Sequence, residues 1–106
     1  MRLYDFSNVD LLPGFLRDKQ ELNRTVTIPA VYHQYEDTGR IAAFRFDWKE
    51  GDPLQPHFFW DSDVAKWMEG AAYSLMKHPD AELEAKVESI IDDIERNQDP
   101  NGYFNI

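Results

Sequence analysis

The sequence predicts an all-α fold built from antiparallel αα-hairpins, and three observations carry that prediction. First, Val64, Trp67, Met68, Ala71, Ala72, Leu75 and Met76 recur at helical spacing and form one apolar stripe. Second, Leu83, Val87, Ile90, Ile91 and Ile94 form a narrower stripe on an otherwise charged segment. Third, His78-Pro79-Asp80 separates the two. Proline cannot continue the helical ladder and restricts the residue before it, while aspartate is a strong N-cap. Helices joined by so short a link form an antiparallel hairpin. The face of the first helix opposite its stripe is also poor in charge: Ala65, Gly70, Tyr73 and Ser74 lie there, with only Lys66, Glu69 and Lys77 charged. That helix reads as enclosed by neighbours, the second as largely solvent-facing. The pairing suits a layered helical barrel in which inner and outer helices alternate.

Taken in order, residues 1–14 read as an extended lead-in segment. Phe6 to Asp10 is turn-like, and Pro13-Gly14 is a turn signal. Phe15 to Tyr35 reads as a helix. Phe15, Leu16, Leu22, Val26, Ala30 and Tyr35 roughly keep the period, with charges at Arg17, Asp18, Lys19, Glu21 and Arg24. Thr25 to Ile28 admits a short strand instead. A helix kinked at Pro29 is preferred, because the apolar spacing continues into Val31 and Tyr32, and Thr38-Gly39 ends it. Gly51, Pro53 and Pro56 break regular structure between Arg40 and His57, where Ile41 to Trp48 reads as a short helix or an arm. Phe58, Phe59 and Trp60 precede Asp61, Ser62 and Asp63, which are suited to cap the central helix. The last helix is expected over Ala81 to Gln98, with Asp80 as its cap. Asp99-Pro100-Asn101-Gly102 reads as a turn before Tyr103 to Ile106. Residues 15–106 are thus expected to form one helical unit.

Composition narrows the function. The chain has 106 residues and a formal net charge of −9, and 14% of it is aromatic. One domain with a real core is expected. An acidic chain repels phosphate backbones, so nucleic-acid binding is disfavoured, as is binding to anionic membranes. No stretch is long and apolar enough to span a bilayer. The lead-in segment has no apolar signal region, so a soluble, cytoplasmic protein is expected. Cysteine is absent, which removes disulfides, a thiolate nucleophile and any cysteine zinc site from these residues.

The residues display no catalytic constellation. Asp61 and Asp63 are paired carboxylates, but two positions apart on a helix they do not face each other, and capping is their first use. His33, His57 and His78 are scattered without metal-ligand spacing. Trp48, Trp60 and Trp67 could stack on sugar rings, although Trp67 sits at a core position. No glycine-rich phosphate loop or nucleophile elbow is present. A stand-alone helical interaction module would fit this pattern as well as an enzyme fragment.

Three runs resemble glycoside hydrolase family 127. They are Phe59 to Leu75, His78-Pro79-Asp80 with Leu83-Glu84, and Gln98-Asp99-Pro100-Asn101-Gly102-Tyr103. Phe15 to Arg40 resembles that family's opening helix. Where the family pattern has Asp-Gly-Tyr, this chain has Asn101-Gly102-Tyr103. The resemblance implies the opening part of a six-hairpin (α/α) toroid and a β-L-arabinofuranosidase or close relative. It implies a retaining mechanism in the full-length enzyme, with a zinc-bound cysteine nucleophile and a glutamate acid/base. The zinc would be held by three cysteines and a glutamate. None of those groups can be placed here, so no catalytic and no metal residue is expected in this chain, and no activity from it alone. The chain is expected to pack against the rest of the toroid or to self-associate. An antiparallel hairpin brings the start of its first helix beside the end of its second. The resemblance also implies that inner-helix termini line the catalytic mouth. Asp61, Ser62, Asp63, Gln98, Asn101 and Tyr103 are therefore candidate rim residues for a carbohydrate substrate. Another toroid enzyme acting on sugars, such as an unsaturated-uronyl hydrolase, would share this architecture.

Overall fold

The computed structural model describes residues 3–106. Its helices are α1 (Phe15–Leu22), α2 (Ile28–Asp37), α3 (Trp60–Lys77) and α4 (Ala81–Asn97). Short 3-10 turns occupy Phe6–Asn8 and Ala42–Arg45, and no strand occurs among the described residues. The first residues of the lead-in segment, Met1 and Arg2, lie outside the described residues.

Helices α1 and α2 form one rod whose irregularity does not fall at Pro29. Asn23–Thr27 forms a wider π turn, in which the Ile28 N–H donates to the Asn23 carbonyl. Pro29 follows at once. A proline ring crowds the carbonyl four residues earlier and supplies no N–H. Widening the preceding turn gives the ring room, so the expected kink is replaced by a π turn upstream of it. Helix α2 ends where Gly39 adopts φ +81°, and its close approach to Leu54 leaves little space for a side chain. Of the two readings of Ile41 to Trp48, the short helix is the one found, as a 3-10 turn over Ala42–Arg45. That turn buries Ala43 and Phe44, and Phe46 closes it in the left-handed region at φ 57°.

The core lies where α2, the 3-10 turn, α3 and α4 meet. Ile28, Tyr32, Ile41, Phe44, Val64, Trp67, Ala71, Leu83, Val87 and Ile90 are buried together. Trp67 is a core residue, and its indole N–H donates to the Ile28 carbonyl at 3.0 Å. That bond satisfies both polar groups inside the core. Asp80 caps α4, with Oδ1 accepting from the N–H groups of Glu82 and Leu83, both at 3.1 Å. Phe104 returns over the core edge, its ring 5.3 Å from that of Phe44.

Three expectations change. The apolar stripes are wider than the faces they bury. Ala72, Met76 and Ile91 are exposed, and so are Phe15, Leu16, Leu22 and Val26 on the first rod. The second face of α3 is open rather than enclosed, with Ala65, Gly70 and Tyr73 exposed among the described residues. Asp93, one of the charges on the helix read as largely solvent-facing, is buried. It accepts from Arg96 at 2.7 Å and lies 3.9 Å from Arg45, which explains how a charge persists there. The whole is elongated: its radius of gyration is 16.3 Å, against about 13 Å for a compact chain of this length.

Candidate functional site

The start of α3 organises the site. The helix begins one residue before the expected caps, with Phe59 at the cap position and no side-chain cap bond. Asp61, Ser62 and Asp63 therefore lie inside the first turn and serve other partners. Asp61 takes the Ser62 N–H on Oδ1 at 2.7 Å and the Asn105 side-chain amide on Oδ2 at 3.1 Å. The Ser62 hydroxyl donates to the Phe59 carbonyl at 2.9 Å. Asp63 accepts from Arg40 Nε at 3.2 Å. Both carboxylates still gain from the positive helix end.

The other candidates sit on the segment that leaves α4. Asp99 and Tyr103 close a tight turn: the Asp99 N–H donates to the Tyr103 carbonyl, and the Gly102 N–H to the Asp99 carbonyl, each at 2.8 Å. Gly102 takes φ +84° to permit it. The Asn101 carboxamide oxygen accepts from the Tyr103 N–H at 2.9 Å, which accounts for its presence in a turn. Asn97 anchors the turn from below, its amide donating to the Phe44 carbonyl at 2.9 Å.

The Asn105–Asp61 bond ties the segment that leaves α4 to the start of α3, at one end of the α3–α4 hairpin, through a residue that is not itself a candidate. The candidates do not form a single pocket. Ser62 and Asp63 line an open hollow of about 470 Å³ with Arg40, His57, Phe59, Trp60 and Lys66. Tyr103 lines a smaller one of about 90 Å³ with Phe46, Asn97, Asp99, Phe104 and Asn105. Gln98 and Asn101 are exposed and line neither hollow.

Arg40 and Asn105 are the residues that sequence reasoning did not single out. Arg40 directly follows the left-handed Gly39, a signal that its direction is fixed by a turn. Its guanidinium lies 5.4 Å from the Tyr35 ring and 5.2 Å from the Trp60 ring. Burial, and after it the negative charge of Asp63, pushes the Tyr35 phenol above its ordinary range. Tyr35 therefore stays a neutral donor, aimed at the Asp63 carbonyl at 3.4 Å. The chemistry on offer is acceptor oxygens, a cation and aromatic faces. Such groups hold a hydroxylated ligand, but they include no nucleophile paired with a base. Among the described residues no three His, Cys, Asp or Glu side chains gather to hold a metal, and cysteine is absent from the sequence. The residues present do not fit a zinc site.

A family model described as the β-L-arabinofuranosidase GH127 catalytic domain matches residues 8–106. The chain belongs to that family. A non-reducing end β-L-arabinofuranosidase from Bifidobacterium longum subsp. longum is 43% identical over 65 residues, which is 61% of this chain and 9% of that protein. A solved GH127 β-arabinofuranosidase superposes on 94% of this chain with a TM-score of 0.81 and 31% identity. The match occupies 16% of that solved chain. The fold is therefore that of a GH127 enzyme, an (α/α) toroid, of which this chain spans a small part. Among the described residues no helix is long and apolar enough to cross a membrane.

Proposed function

We propose that this chain is the opening part of the toroid of a glycosidase that releases non-reducing terminal β-L-arabinofuranosyl residues, and that it supplies rim and scaffold rather than catalytic groups. The observation that carries this reading is the family match across residues 8–106. In this reading residues 15–106 open the six-hairpin toroid and residues 1–14 lead into it. In this reading a zinc and its cysteine ligands would be supplied by other parts of the full-length enzyme, as this chain has no cysteine. Asp61, Ser62 and Asp63 accept from sugar hydroxyls or fix a neighbouring loop. Gln98, Asn101 and Tyr103 contribute a second stretch of the same rim. The joining Asn105–Asp61 bond supports treating the two stretches as one edge.

The test has two arms. The 106-residue chain, purified alone, is expected to leave an aryl β-L-arabinofuranoside intact, and clear turnover would overturn the assignment of a non-catalytic role. In the full-length enzyme, Asp63→Asn and Tyr103→Phe are expected to raise KM or lower kcat with the fold intact. Unchanged kinetics for both would leave these residues a purely structural part.

A further inference from the structure

We propose that Arg40 is a positioning residue for the rim: it fixes the Asp63 carboxylate by shape as well as by charge. This rests on the reading of Asp63 as a rim residue. The geometry starts in the backbone. Gly39 ends α2 in the left-handed region, and the buried Ile41 anchors the chain just beyond. Arg40 is thereby delivered between two fixed points toward the start of α3. Its guanidinium is then held on four sides. Tyr35 and Trp60 present their rings at 5.4 and 5.2 Å, Nη1 donates to Thr38 Oγ1 at 2.7 Å, and Nε donates to Asp63 Oδ2 at 3.2 Å.

Asp63 is gripped twice, because Tyr35, whose ring borders the same guanidinium, donates its hydroxyl to the Asp63 backbone carbonyl at 3.4 Å. Only Oδ2 of its carboxylate is engaged by Arg40, so Oδ1 keeps acceptor capacity for a hydroxyl in the hollow that Asp63 lines. A carboxylate left to rotate would present that oxygen only part of the time. Lysine cannot do this work. A planar guanidinium donates in fixed directions while it stacks on rings, whereas an ammonium is a strongly hydrated point charge on a flexible stem.

The experiment uses the full-length enzyme. Arg40→Lys and Arg40→Gln are both expected to raise KM for an aryl β-L-arabinofuranoside, by roughly tenfold, with kcat nearly unchanged. The double variant with Asp63→Asn is expected to be no worse than Asp63→Asn alone, because the two residues act as one unit. Wild-type KM in Arg40→Lys, or effects of Arg40→Gln and Asp63→Asn that multiply, would overturn the proposal. Should Arg40→Gln fail to fold, Arg40→Lys keeps the charge and still decides. The pair is also read without substrate. The Arg40 Nε–H resonance is expected to move in Asp63→Asn, and an unmoved resonance overturns the clamp whatever the enzyme hydrolyses. A wild-type enzyme inert toward arabinofuranosides, with that resonance shifted, would instead count against the proposed substrate alone.

Discussion

The described residues before Ile28 and those after it follow the same sequence grammar but reach different outcomes. Both carry helical apolar spacing, yet the buried apolar residues begin at Ile28. Phe15, Leu16, Leu22 and Val26 stay exposed, whereas Val64, Trp67, Ile90 and Leu83 are enclosed. Amphipathic spacing tells a helix which face to bury but not what will cover it. The later half finds its cover within the chain, from α2, α3 and α4. The segment before Ile28 does not find it within the described residues. We propose that its cover lies in the rest of a larger fold; the solved relative is several times longer than this chain.

The comparison breaks most readily by truncating one residue on each side of it. Ile90 is 1% exposed, and Ile90→Ala is expected to destabilise the fold by about 2–5 kcal/mol. Phe15→Ala is expected to change stability by about 0.5 kcal/mol or less. Denaturant unfolding followed by circular dichroism measures both, and similar losses would show that the first rod has packing the structure does not contain. The uncovered rod should also promote association. Sedimentation of the isolated chain is expected to show oligomers that Phe15→Ser with Leu16→Ser reduces. A sharp monomer boundary in the wild-type chain would mean that the exposed face needs no partner.

Much of this was legible in the sequence. The α3–α4 hairpin, its stop at His78-Pro79 and the Asp80 cap follow from local chemistry, so reading them required no knowledge of distant contacts. What was not legible depends on partners far along the chain. Asp61 and Asp63 look like caps because acidic residues before a helix usually are. Their long-range partners are Asn105 and Arg40, 44 and 23 positions away along the chain. Asp93 was misplaced for the same reason, since Arg45 is remote in sequence. The π turn escaped because proline signals a disturbance without specifying on which side the backbone yields.

Two smaller predictions sharpen the contrast between turns that join the core and positions that only border it. Gly39→Ala is expected to cost roughly 1–2 kcal/mol from the left-handed backbone. The added Cβ, only 3.1 Å from Leu54 Cβ, increases that cost. The same substitution at Gly70, a helical position with nothing near its Cβ, is expected to be neutral or mildly stabilising. Asp80→Ala is expected to cost about 1 kcal/mol through the lost cap. Asp61→Ala, which removes one bond to a first-turn N–H where Asp80→Ala removes two, is expected to cost less, and thermal unfolding of the pair would reveal the difference. An Asp61→Ala loss as large as that of Asp80→Ala would restore the capping role to Asp61.

The smallest effect concerns how the lead-in segment is fastened to the core half. Lys77, at the last turn of α3, donates to the Ser7 carbonyl at 2.9 Å and to Asp10 Oδ1 at 2.8 Å. Phe6 is brought against Tyr73 at the same place, ring centroids 5.3 Å apart. The Lys77 hydrogen bond and charge, opposed slightly by desolvation, hold the Asp10 carboxyl below its ordinary range. A carboxyl whose pKa is lowered on folding contributes its stabilisation above the unfolded value and loses it as pH falls through the folded one. The fastening should therefore be intact at neutral pH and released only below the ordinary aspartate range. Asp10 is exposed, so the effect is local and salt-sensitive rather than global. On acidification the Phe6–Tyr73 contact, followed by NMR cross-peaks between the rings, is expected to fade while the Trp67 indole N–H in the core stays protected. Asp10→Asn should weaken the contact already at neutral pH. A contact that survives both changes would mean that the ring packing alone holds the segment, and that Lys77 merely follows it.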